Sequence, residues 1–166
     1  MTSKNDALVK KDRLRFTKNK LSSSLTLLAI VFNALYFVCI YKSDVGSYYY
    51  QYMMGISVVY NLLFMLIAFL ASEGVKSYKL NYSYVLVLLG LGQIIRIFIL
   101  PMDATRTIVT LSGEEEVVMG SGQFTRICVY LISSAALCII AGVIAFYKTR
   151  TLSAYQAELD RKNMPV

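Results

Sequence analysis

Histidine and tryptophan are absent from the 166 residues, proline occurs twice, cysteine three times, and only 16% of the side chains are charged. Each shortage removes a class of function. Without histidine, the commonest metal ligand and general base are missing. Cys39, Cys128 and Cys138 show no CxxC or other metal-ligand spacing. All three fall inside apolar stretches, where a thiol behaves as a small apolar side chain. Neither a disulfide framework nor a metal or cofactor site is expected. No acidic residue lies within an apolar run, and no nucleophile has a partner at workable spacing. An enzyme is therefore not expected either.

What is abundant is apolar surface. Hydrophobic residues make up 57% of the chain, and the mean hydropathy of +0.55 is too high for a soluble fold of this size. The apolar residues fall into four runs of about twenty, each long enough for a hydrocarbon core of roughly 30 Å. Spans are expected at 21–41, 52–71, 80–100 and 124–147, giving an all-α membrane protein with four transmembrane helices. They are flanked by a basic segment at 1–20 and a tail at 148–166, with a longer loop at 101–123. The first run exceeds the 7–15 residues of a signal-peptide core and precedes no small-x-small cleavage site, so it reads as a signal anchor. Pro101 marks the end of the third run.

The net charge of +7 is not a nucleic-acid footprint, because the basic residues flank the spans rather than sharing a solvated face with aromatics. Lys4, Lys10, Lys11, Arg13, Arg15, Lys18 and Lys20 precede the first span, and Lys76 and Lys79 lie between the second and third. Lys148, Arg150, Arg161 and Lys162 follow the fourth, whereas the two remaining loops hold only Lys42 and Arg106. Under the positive-inside rule this bias puts both termini in the cytoplasm. Tyr41, Tyr48, Tyr49, Tyr50 and Tyr52 then cluster at the outer interface, and Tyr78, Tyr82, Tyr84 and Tyr147 at the inner one, as aromatic belts do.

Polar groups inside spans are where function usually resides. Asn33, Asn61, Gln93 and Ser133 are each the conspicuous polar residue of their span. At 1.5 Å of rise per residue they fall in one layer roughly 5 Å thick. Such a layer either joins helices or binds a solute, and uncharged amides are common in helix contacts. Arg96 and Arg126 are the charges nearest the spans' interior. They are expected to snorkel towards the outer face or to pair with Glu114, Glu115 or Glu116 of the long loop, or else to form an anion or partner site. Gly90 and Gly92 in the third span, and Ser134, Cys138 and Gly142 in the fourth, are candidate helix-packing positions.

The loop carries β-branched residues at 105–111, a Ser112-Gly113 turn signal and Val117 and Val118 beyond it, which predicts a small extracytoplasmic β-hairpin. Gly120-Ser121-Gly122 reads as a hinge. Leu152, Tyr155 and Leu159 form a stripe in the tail, as in a short amphipathic helix against the interface or a partner. Small-residue faces, a protruding loop and an absence of chemistry together suggest a non-catalytic accessory or scaffolding subunit of a larger membrane complex. Its partners would be the lipid bilayer and other membrane subunits. A four-span chain of this length resembles, in architecture only, the small permease subunits of multi-component uptake systems, which implies a bacterial plasma membrane. The alternative is a small oligomeric transporter or channel built on Asn33, Asn61, Gln93 and Arg96.

Overall fold

The computed structural model describes Asp6, Leu8 and residues 18–40, 48–99, 101–102, 105, 107–109, 115–117 and 119–163. Four helices account for most of them: α1 (Lys20–Ile40), α2 (Tyr48–Lys76), α3 (Leu80–Ile99) and α4 (Ser121–Asn163). Each is long and apolar enough to cross a membrane, as expected of a multi-pass membrane protein. The ends depart from the apolar runs because backbone hydrogen bonding, not hydropathy, terminates a helix. Thus α2 extends past both ends of its run.

Asn19 opens α1 as its cap: its side-chain oxygen accepts from the Ser22 amide at 3.5 Å, and its Nδ2 donates to Ser22 Oγ at 3.0 Å. Its own amide donates to the Lys76 carbonyl, which ties the start of α1 to the end of α2. That end is a Schellman closure, with Lys79 N donating to Gly74 O and Tyr78 N to Val75 O, both at 3.1 Å. Tyr78 takes the left-handed position such a closure demands, at φ 57°, where glycine is usual. Partial burial pushes its phenol pKa above the ordinary value. A side chain on Gly74 would have to displace the Tyr82 ring.

The helices form an up-down-up-down bundle in which α1 packs on α2 and α4, and α3 on α2 and α4. The most extensive contacts are those of α4; the sparsest are between α2 and α3. Tyr36, Ile40, Ile127, Leu131 and Met119 fill one end of the core, Ala29, Phe64, Ala68 and Cys138 the middle, and Ala71, Val75, Leu86, Ala141 and Ala145 the other end.

Burial follows an inverted pattern. The inward stripe of α1 is Ser22, Ser23, Thr26, Ala29, Asn33, Tyr36 and Ile40, whereas Leu27, Leu28, Val31, Leu35 and Val38 are exposed. In water this arrangement would leave the large apolar groups on the wrong side. In lipid it is the favourable one, because small and polar residues allow close helix contact while the large aliphatics face acyl chains.

Three parts of the sequence reading are corrected. The tail is not a separate element: α4 runs unbroken for 43 residues, about 65 Å at 1.5 Å each. No glycine or proline interrupts the sequence between Tyr147 and Asn163. Leu152 is buried and Tyr155 half-buried along this extension; the side chain of Leu159 lies outside the described residues. Gly120-Ser121-Gly122 is no hinge, since the Gly120 carbonyl accepts from Gln123 N and Phe124 N and so starts α4. Finally, Ser133 is only half-buried; its neighbour Ser134 is the one that faces the core.

Between α3 and α4, β1 (Thr107–Val109) and β2 (Glu115–Val117) align antiparallel, with Ile108 opposite Glu116. The turn expected at Ser112-Gly113, together with Arg106 and Glu114, lies outside the described residues, as do the side chains of Glu115 and Glu116.

Candidate functional site: a buried cation among neutral partners

Polar side chains at helical spacing on three helices converge near the end of the bundle where α3 finishes. On α1 they are Asn33 and Tyr36, on α2 Ser57, Tyr60 and Asn61, and on α3 Gln93 and Arg96. Asn33 and Tyr36, Gln93 and Arg96, and Ser57 with each of Tyr60 and Asn61 are three or four residues apart and so share a face. All but Tyr60 are buried.

The cluster has two storeys. In the first, Gln93 Nε2 donates to Asn33 Oδ1 at 2.9 Å, a bond that crosses the bundle from α3 to α1. In the second, Arg96 Nη1 donates to Asn61 Oδ1 at 2.6 Å, and Nη2 donates to both the Ser57 carbonyl, at 3.0 Å, and the Ser57 hydroxyl. The guanidinium carbon lies 4.4 Å from the Tyr36 ring centroid and 4.7 Å from that of Tyr60. The Tyr36 and Ser57 hydroxyls are 3.4 Å apart, which joins α1 to the same corner.

Arg96 therefore neither snorkels nor pairs with a carboxylate among the described residues. It is only 5% exposed although it sits in the last turn of α3. Burial of a guanidinium at membrane depth costs on the order of 3 kcal/mol. Charge-assisted hydrogen bonds of about 1.5–3 kcal/mol and desolvated cation–π contacts of about 2 kcal/mol are of the size needed to offset it. Arg126 is a different case: it is exposed, and its Nε donates to the Gly122 carbonyl of its own helix at 3.2 Å.

Several buried atoms of the cluster are left without a hydrogen-bond partner, namely Asn33 Nδ2, Asn61 Nδ2 and Gln93 Oε1. Beside Arg96, α2 and α3 separate into a groove of about 210 Å³ lined by Ile56, Ser57, Tyr60, Gly92, Ile95, Arg96 and Ile99. Gly92 keeps it open, since a Cβ there would lie 2.8 Å from the Tyr60 hydroxyl.

The small residues have a separate role. A Cβ on Gly90 would meet the Ala135 carbonyl at 2.9 Å, and one on Gly142 the Ser83 carbonyl at 2.9 Å, so α3 and α4 touch nearly backbone to backbone. Ser134 Oγ donates to the Ala29 carbonyl of α1 at 2.9 Å, and Cys138 is fully buried. The stripe is spent within the bundle.

Asn33, Asn61, Gln93 and Arg96 were singled out from sequence and come together; Ser133 and Arg126 do not join them. Ser57, Tyr36 and Tyr60 were missed. For Tyr36 and Ser57 the signal was spacing, three residues from Asn33 and four from Asn61; Tyr60, next to Asn61, carried none. Among the described residues no group of acids and cysteines could hold a metal ion. No protein-family model, curated protein or solved structure matches the chain.

Proposed function

We propose that the chain is a non-catalytic accessory subunit of a larger membrane complex, a multi-component transporter of a bacterial plasma membrane, with both termini cytoplasmic. The observation that carries this reading is the length of α4. The bundle is about matched to a hydrocarbon core of roughly 30 Å, and α4 at about 65 Å is twice that. Its last residues, 149–163, continue about 22 Å beyond the level at which Lys148 Nζ reaches Asn19 at the start of α1. A helical arm on the basic side of the bundle gives a partner subunit a rigid surface outside the lipid. The polar cluster supports the same reading, because its strongest bonds run between helices. The paired segments β1 and β2 are, on this topology, a small extracytoplasmic hairpin against the helix ends or a partner.

The unpartnered amide atoms of Asn33, Asn61 and Gln93 favour a second reading, a small oligomeric transporter or channel in which these groups meet a solute. The two are separated by purification in mild detergent, comparing the wild type with a chain carrying Glu at the exposed arm positions Ala154 and Ala157. The subunit reading expects other membrane proteins in fixed ratio with the wild type and their loss from the variant at unchanged thermal stability. A chain that purifies only with itself, in both forms, overturns it.

A further inference from the structure

The groove beside Arg96 combines two features rarely found together at a lipid-facing surface. Its walls are aliphatic, and three of them, Ile56, Ile95 and Ile99, are 50–61% exposed on the outside of the bundle. Its floor carries a 95%-buried guanidinium and the hydroxyl of Ser57, itself only 7% exposed. Every described partner of that cation is neutral. A guanidinium has five N–H donors, more than the bonds to Asn61, Ser57 and Tyr36 use. Among the described residues no carboxylate neutralises it, and a positive charge in low dielectric attracts an anion far more strongly than it would in water. The groove also continues along α2: Ile56 and Tyr60 line a second depression with Tyr52, Gly55, Val59 and Leu63, wholly apolar apart from the phenols.

We propose that this groove binds an anionic amphiphile, its carboxylate or phosphate against Arg96 and Ser57 and its hydrocarbon chain along the aliphatic walls of α2 and α3. Approach is from within the bilayer, where the groove opens between the two least tightly packed helices. The N–H groups of the guanidinium that Asn61, Ser57 and Tyr36 leave over are donors for an oxyanion, and Gly92 provides the room beside Tyr60. The amphiphile would be a counterion to Arg96 and would bridge α2 and α3. The inference is independent of the subunit reading, because it needs only the bundle.

The test is thermal stability of the purified full chain in neutral detergent, with four probes: oleate, phosphatidylglycerol, oleyl alcohol and inorganic phosphate. Ligand that binds only the folded protein raises its melting temperature with concentration. Oleate or phosphatidylglycerol is expected to do so, the first identifying a free carboxylate and the second a lipid headgroup. Oleyl alcohol, which has the chain without the charge, and inorganic phosphate, which has the charge without the chain, should leave it unchanged. Ile56, half exposed and party to none of the cluster's hydrogen bonds, can be enlarged to fill the groove; Ile56→Trp should weaken the response at least tenfold while the chain still folds and melts cooperatively without ligand. Arg96→Gln should abolish the response, and where that variant does not fold, Ile56→Trp decides. Equal shifts with oleyl alcohol and oleate, an undiminished response in Ile56→Trp, or no response to either anionic amphiphile would overturn the proposal.

Discussion

At the scale of single residues, magnitudes rank the polar contacts. A neutral hydrogen bond between helices in a membrane, such as that of Gln93 with Asn33, contributes about 0.6 kcal/mol on average. A bond to a buried charge is worth about 1.5–3 kcal/mol, and leaving the charge without it costs at least as much. Arg96 and its acceptors on α2 should therefore dominate. Asn61→Leu removes the 2.6 Å acceptor and should lower stability by about 2 kcal/mol or more, seen as a fall of several degrees in melting temperature. Asn61→Asp keeps the shape and offers the guanidinium a carboxylate, so it should stay near the wild type. An Asn61→Leu chain as stable as the wild type would mean that Arg96 does not lean on α2.

Between elements, the α3–α4 contact is set by glycines at points of backbone approach. A side chain at Gly142 must displace Val87 Cγ2, 2.8 Å from the Cβ position, and the Ser83 carbonyl, which cannot move without its helix. Gly142→Leu should therefore separate the helices and cost several kcal/mol, as overpacking does in its more severe cases. Gly55 on α2 has nothing within 4 Å of its Cβ position, so Gly55→Ala should be neutral or gain up to about 1 kcal/mol of helix propensity. Thermal melts of the two variants in one detergent make the comparison; equal effects would show that α3 and α4 do not meet as described. The four helices were legible in sequence because lipid demands long apolar runs, a constraint local to each segment. Their ends were not, because hydropathy is silent on caps: Asn19, Tyr78 and Gly120 set boundaries that no apolar count marks. The continuation of α4 past Tyr147 was missed for the same reason, since a polar sequence and an unbroken helix are compatible. Of the polar layer, depth along each span was readable, but the face was not. That is why Ser133 falls in the expected layer by depth and yet is only half-buried, and why Arg96, near a span end, reads as a surface group.

For the molecule as a whole, orientation is read by labelling and role by flux. The bias of basic residues towards one side predicts that single cysteines at Ser77 and Ser153, in a chain otherwise free of cysteine, resist impermeant thiol reagents in intact cells, while cysteines at Ser47 and Ser112 react. Labelling at Ser77 from outside would reverse the topology. On the proposed subunit role the polar cluster joins helices and conducts nothing. The most direct test is electrical conductance and dye flux across bilayers containing the purified chain, compared with protein-free bilayers and with Arg96→Gln normalised to inserted protein. Conductance and flux at the protein-free level in both the wild type and Arg96→Gln are the predicted result. Clear flux through the wild type that disappears in Arg96→Gln would contradict the account and make the cluster a permeation site.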